Sequence, residues 1–343
     1  MLPVAAETVT ATAATAKRRN GPNPTETADA AAGLDAAELR AEVIAWFADA
    51  GRDLPWRHSE CSPWGVLVSE VMLQQTPVKR VLPHWEEWMQ RWPTPADLAA
   101  EPSGEAVRAW SGLGYPRRAL RLHACAQEIV EVHGGKVPAD HEELRALPGI
   151  GEYTAAAVAS FAFGIPATVV DTNIRRVEAR AVTGNALPEK SYTRAEAVLA
   201  HDLMPNTTTI QGIDEANRWN AASMELGALV CKARTPLCEQ CPVQHRCAWI
   251  KAGRPAPHYT PKGQAWEGTD RQVRGAMMAV LRGAEAPVAA ELLRGVGHVE
   301  TDIAELAALR HLKADAEQRE RCLAGLLKDG LAAQTDAGVT LPA

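Results

Sequence analysis

Two kinds of residue in this chain have the type and spacing to do chemistry. The first is a set of thiols. Cys231, Cys238, Cys241 and Cys247 stand within seventeen residues with the spacing C-x6-C-x2-C-x5-C, while Cys61, Cys125 and Cys322 are scattered. Four thiolates so close can hold zinc or a [4Fe–4S] cluster. Zinc sites more often pair two C-x2-C units, and only one is present, so the asymmetric spacing favours iron–sulfur. The second is a pair of carboxylates. Glu70, in VLVSEVMLQQT, has Val66, Leu67, Leu73 and Gln74 as helical neighbours. An acid on so apolar a face is costly unless protonated or paired, and burial raises its pKa toward that of a general acid at neutral pH. Asp171, in ATVVDTNIRRV, stands where a helix would begin. There it would cap the helix and stay ionised, suited to stabilising a cation. One protonated and one ionised carboxyl is the pairing that breaks glycosidic bonds.

A third feature binds rather than reacts. In LPGIGEYTAAAV, residues 147–158, Pro148 ends one helix and another begins directly after Gly151. Gly149 and Gly151 permit positive φ and the close approach of another molecule. The unpaired N–H groups of the second helix suit a phosphate. This is a helix–hairpin–helix pattern, of the kind that grips a DNA backbone; a plain helix connector is the bland alternative.

The elements that must position these groups are almost all helical from about 34 to 250. LDAAELRAEVIAWFADAG, PWGVLVSEVMLQQT, PVKRVLPHWEEWMQRW and RRALRLHACAQEIVEVHG carry apolar residues at helical spacing. Residues 1–33, rich in Ala and Thr, read as a disordered tail. Residues 253–270 read as a linker. Residues 271–343 predict three or four helices and a terminal hairpin around the polar DAG of QTDAGVTL, a small winged-helix-like module. The expected fold is therefore all-α, two-lobed over 34–252 with an iron–sulfur loop at 231–247, followed by that module.

Length and composition are those of an ordinary globular protein: 343 residues, 46% hydrophobic and 23% charged. No apolar run is long enough for a membrane span. Without a secretory signal, clustered cysteines point to a metal in a reducing compartment. A net charge of −6 argues mildly against a nucleic-acid binder. Arg117, Arg118 and Arg121, and the pair Arg175 and Arg176, are candidate local basic patches.

LPGIG, an aspartate about twenty residues on and the cysteine loop, in this order, resemble the helix–hairpin–helix (HhH-GPD) DNA glycosylase superfamily. LPWR (54–57), SEVMLQQT (69–76), GLGYPRRA (112–119), LPGIGEYTA and ELGALVC (225–231) further resemble its MutY-type adenine DNA glycosylases, across residues 38–255. The resemblance implies base excision repair of duplex DNA carrying adenine opposite 8-oxoguanine or G. It implies a [4Fe–4S] cofactor, a monomer and action on the nucleoid in a bacterial cytoplasm. Adenine would be extruded from the duplex. Glu70 would protonate its ring, Asp171 would stabilise the oxocarbenium-like sugar, and Asn173 and Tyr153 would position Asp171 and the sugar. Glu225 resembles the acid that contacts the exocyclic amine. Trp56 and Arg57 match the pocket wall, and Gln75 and Tyr115 match residues inserted beside the opposite base. Strand-cutting relatives carry a lysine two residues after the second glycine. Tyr153 stands there, and without an amine Schiff-base chemistry is closed, which implies a monofunctional enzyme.

The chain departs from the family in three places. Pro116 replaces a second tyrosine after GLGY, and Ala221 stands where a glutamine is common. The last seventy or so residues do not read as the Nudix-like domain many members carry, and a lone histidine there, His298, reads as surface. The competing functions are a bifunctional glycosylase of the endonuclease III kind, opposed by Tyr153, and a non-catalytic DNA-binding module, which leaves Glu70 without a purpose.

Overall fold

The computed structural model describes residues 35–261, 263, 265–296 and 303–343; the tail at 1–33 and His298 lie outside them. In chain order the helices are α1 (Ala36–Ala50), α2 (Pro63–Leu73), α3 (Val78–Arg91), α4 (Pro95–Ala99), α5 (Ser103–Trp110), α6 (Arg117–His133), α7 (His141–Ala146) and α8 (Glu152–Phe163). Then come α9 (Thr172–Glu178), α10 (Arg194–Asp202), α11 (Ile210–Leu229), α12 (Ala248–Lys251), α13 (Asp270–Gly283), α14 (Ala290–Leu293), α15 (Glu305–His311) and α16 (Ala316–Lys328). Strands β1 (Ala333–Thr335) and β2 (Gly338–Thr340) form the expected antiparallel hairpin. No helix among these residues is long and apolar enough to cross a membrane.

Two cores make two lobes. The first packs α2 to α8, and tryptophan fills most of it. Trp88 meets Trp92 and Trp110 edge to face at 4.6 and 5.6 Å, a geometry that adds to simple burial. Trp64 and Trp85 spend their indole N–H groups on the carbonyls of Trp92 and Gly65. Helix α8 is buried continuously from Thr154 to Ser160, and its run of alanines brings its backbone close to α2. The second core joins the beginning of the chain to its middle. Leu39, Val43 and Ile44 of α1 pack with Val177, Trp219, Leu226, Val230 and Val243. A small cluster of Ala156, Ala157, Val169 and Ile174 lies at the seam.

The C-terminal residues follow the expected winged-helix-like order. Val288, between α13 and α14, pairs with Val339 of the hairpin. Their apolar residues, among them Val273, Met277, Leu323 and Val339, are continuous with the core of the first lobe. Arg108 and Arg282 exchange bonds with each other's chain: Arg108 Nη1 donates to the Arg282 carbonyl, and Arg282 Nε to that of Val107 at 3.0 Å. Gly104 N–H donates to the Pro342 carbonyl at 2.9 Å. A Cβ on Gly104 would collide with that same oxygen. Gly104→Ala is therefore expected to cost about 1–3 kcal/mol through overpacking, read as a lowered thermal midpoint with the α1–α11 lobe intact by amide exchange.

Candidate active site

A cavity of about 1380 Å³ opens between the lobes. Its lining includes Trp56, Arg57, Glu70, Gln75, Gly149, Gly151, Tyr153, Asp171, Asn173 and Glu225. Tyr115 does not line it; it stands on a neighbouring loop, 46% exposed.

Glu70 sits in α2, where every residue from Trp64 to Met72 is buried. Its carboxyl is 6% exposed. The hydroxyl of Tyr153, the second residue of α8, donates to Glu70 Oε2 at 3.1 Å. Burial pushes the Glu70 pKa up to about 7; the Tyr153 bond and Arg57 pull down and Asp171 pushes further up. Burial also carries the Tyr153 hydroxyl well above its ordinary value, so it remains a donor.

Asp171 caps α9, as its sequence position predicts. Oδ1 accepts the Ile174 N–H at 2.7 Å, and Oδ2 accepts from Asn173 Nδ2 at 2.6 Å. Burial outweighs these donors and raises its pKa. Behind Asp171 a chain of bonds runs to the cysteine loop. Arg176 Nη2 donates to Asn173 Oδ1 at 2.8 Å and to the Gly227 carbonyl at 2.7 Å, and its Nε to the Cys231 carbonyl at 2.6 Å. Gly227 leaves room for this: a Cβ there would lie 2.7 Å from that of Asn173.

Glu225, on α11, is fully buried and held by two arginines. Its Oε1 accepts from Arg52 N and Nε at 2.9 and 2.7 Å, and Oε2 from Arg52 Nη2 at 2.6 Å and Arg57 Nη2 at 2.9 Å. Burial opposes ionisation, yet these donors pull its pKa down to about 2. Arg52 is the residue the sequence reading missed. Its signal was faint: one more arginine just before LPWR, with nothing local to mark a buried acid as its partner.

The hairpin is only half as the glycines suggested. Gly149 has φ 80°, and a Cβ would press on Arg121 at 2.7 Å. Gly151 has φ −103°, open to any residue in conformation, with empty space where a side chain would point. It leaves the first N–H groups of α8 without a side-chain cap. The two arginine groups are mostly engaged within the protein: Arg117 is exposed but pairs with Asp329 at 3.2 Å, and Arg121 is exposed beside Gly149. Arg118 and Arg176 are 7% and 6% exposed, turned inward onto carbonyls, and Arg175 pairs with Glu196 at 2.8 Å.

The four cysteines line one small cavity with Arg180, Val230 and Trp249. Among the described residues no group of three or more potential ligands is gathered tightly enough for a single ion. Four thiols spread round a cavity suit a cluster, in which each iron takes one thiolate, better than zinc. Burial raises Cys241 to about 12 and also raises Cys247, so the thiolates need a positive centre among them. Arg180 Nη1 adds a donor 3.5 Å from Cys231 Sγ. The residues fit the group.

Residues 68–200 match the model of the HhH-GPD superfamily of base excision DNA repair proteins, and 231–247 that of the iron–sulfur binding domain of endonuclease III. An adenine DNA glycosylase of Mycobacterium tuberculosis is 48% identical over 305 residues, 88% of this chain and 92% of that protein. The chain belongs to the adenine DNA glycosylase family. The corresponding protein of Mycolicibacterium smegmatis is 47% identical over 87% of this chain and 93% of its own length. Among solved structures, a thermostable thymine-DNA glycosylase aligns with a TM-score of 0.55 at 26% identity, over 63% of this chain and 97% of its own. A trapped endonuclease III–DNA covalent intermediate aligns at 0.54 and 26%, over 64% and 99%. The family member is a DNA N-glycosylase with a [4Fe–4S] cofactor, which the four cysteines would hold. Analysis of the purified protein is expected to give about four irons and four sulfides per chain and no zinc.

The Glu70 shift has a consequence for stability. Between pH 4.5 and about 7 the unfolded chain releases a proton that the folded chain keeps, so stability falls as pH rises through this window. Glu70→Gln stays neutral throughout. It is expected to raise stability above pH 7, by at most about 3 kcal/mol, seen as a higher thermal midpoint, and to lose this advantage below pH 4.5, as calorimetry across pH would show.

Proposed function

We propose that this adenine DNA glycosylase removes adenine placed opposite 8-oxoguanine or G in duplex DNA, and leaves the strand uncut. The observation that carries the reading is the buried pair: a carboxyl near neutrality at Glu70, bonded by Tyr153, facing the same cavity as Asp171. The adenine is turned out of the duplex into this cavity, between the Trp56 wall and the carboxylate of Glu225. Glu70 gives its proton to the ring, so the base departs neutral as the bond to C1′ breaks. Among the described residues Glu70 Oε1 has no hydrogen-bond partner, which leaves it for the base while Oε2 holds Tyr153. The electron-poor sugar is met by Asp171, whose ionised form the approaching cation favours. A water adds to C1′ and gives its proton to the Glu70 carboxylate, which restores the acid and completes a hydrolysis. Tyr153 occupies the position where a lysine would attack the sugar, and no amine is supplied in its place.

Gly149, the uncapped start of α8 and the tips at Gln75 and Tyr115 hold the duplex, the last two beside the opposite base. Cys231, Cys238, Cys241 and Cys247 would hold the cluster, and the loop they lie on carries the Arg176–Asn173 support of Asp171. The enzyme acts as a monomer on nucleoid DNA in the cytoplasm.

The test is single-turnover cleavage of labelled duplexes containing A opposite 8-oxoguanine, G or T, with alkali added to half of each sample. Strand breaks only after alkali, fastest opposite 8-oxoguanine and negligible opposite T, are expected. The rate should fall as pH rises through about 7, because the acid is then spent. Glu70→Gln should lose at least about 100-fold, the scale of general acid catalysis. Breaks without alkali would overturn the monofunctional reading.

A further inference from the structure

Two short loops carry the residues assigned to the opposite base, and each bends at a non-glycine residue in the left-handed region. Gln75 has φ 56° and Tyr115 has φ 49°. Such backbone is unfavourable for these residues and persists where the surroundings impose it. The loops leave different elements, the ends of α2 and α5, and are far apart in sequence.

One side chain binds both. Arg118, in the first turn of α6, places Nη1 against the carbonyls of Val71, Met72 and Gln74 at 2.8, 3.0 and 2.7 Å. Its Nη2 donates to Thr76 Oγ1 at 3.0 Å and to the carbonyls of Leu113 and Gly114 at 3.2 and 3.1 Å. Six acceptors, three on α2 or its end and three flanking the two tips, converge on one planar group. Among the described residues no carboxylate pairs with it. Its charge is met by the carbonyl ends of a helix, where a cation is favoured, and by the faces of Trp110 and Tyr115 at 5.1 and 5.8 Å. A lysine could not copy this fork. Among the described residues the only other side-chain bond between the loops is Thr76 Oγ1 to the Leu113 carbonyl, at 3.3 Å.

We propose that Arg118 is a positioning residue that locks the Gln75 and Tyr115 tips into one rigid wedge, and that this wedge drives extrusion of the target adenine. The proposal rests on the reading that both tips enter the duplex. Arg118 itself touches neither base nor sugar. Its loss leaves the hairpin grip and the Glu70 chemistry in place. The duplex still binds, and what fails is the opening of the base stack, because two loose tips must be ordered at the moment of insertion.

The experiment uses full-length, cluster-containing protein with Glu70→Gln, so that the base is held and not removed. The target adenine, opposite 8-oxoguanine, is replaced by 2-aminopurine, which brightens when unstacked. Stopped-flow fluorescence and anisotropy compare Glu70→Gln with the double variant carrying Arg118→Lys. The double variant is expected to bind within about threefold, since phosphate contacts dominate affinity, and to brighten at least about tenfold more slowly. In the Glu70 background, Arg118→Lys should slow base removal by the same factor at every pH, with the profile's midpoint unmoved. Equal brightening rates, or a displaced pH midpoint, would overturn the proposal. No brightening with Glu70→Gln alone would remove the duplex-opening reading beneath it, a different failure. Thr76→Val, which deletes one acceptor with little change of shape, gives the same comparison should Arg118→Lys not fold, with a smaller slowing.

Discussion

A carboxyl group moved from water into a protein interior gives up hydration that only bonds or a proton can replace. Here Glu70 and Asp171 face one cavity, and the charge of Asp171 adds to the cost of ionising Glu70. The structure answers by treating them differently. Glu70 sits in a helix that is buried on every side, with one hydroxyl to bond, and so keeps its proton near neutrality. Asp171 receives a backbone N–H and an amide. Those donors need support, and the support extends outward: Asn173 is held by Arg176, Arg176 by the carbonyl of Cys231, and the close approach of Asn173 by a glycine at 227. The division of labour between acid and counter-charge thus reaches from the cavity to the cysteine loop.

Arginine is the recurring means of holding main chain inside this molecule. Arg118 gathers two loops, Arg176 and Arg180 fasten the segment after α11, and Arg319 Nη1 and Nη2 gather the carbonyls of Leu309 and Leu312. In each case a buried guanidinium satisfies carbonyls that no helix or sheet provides for. Its five fixed donors suit several acceptors at once, and its weak hydration lowers the cost of burial. A chain with a net negative charge therefore spends part of its positive charge indoors.

This use of arginine also marks what the sequence showed and what it hid. Glu70 was legible because its neighbours along a helix are fixed by local geometry, and those neighbours are apolar. The cysteines were legible by spacing, and the terminal hairpin by a polar turn between two apolar runs. Arg118 and Arg176 read as surface patches, because the carbonyls they bind come from residues distant in sequence and leave no local trace. Arg52 was missed for the same reason. The raised pKa of Asp171 followed from the depth of its burial, which a capping position does not reveal. The continuity of residues 271–343 with the first lobe was equally hidden, since an apolar helix face names no partner.

Helix α1 finds its partners at the far end of the second lobe. Arg246 pairs with Glu38 across 208 residues, and Trp219, Leu226 and Val243 cover Leu39, Val43 and Ile44. In synthesis this helix precedes its partners, and its apolar face stays uncovered until the cysteine loop has been translated. The first lobe's helices are complete long before. The order of synthesis therefore leaves α1 in need of shelter until the loop is made, and makes the arrival of Cys247 the moment at which this helix can settle.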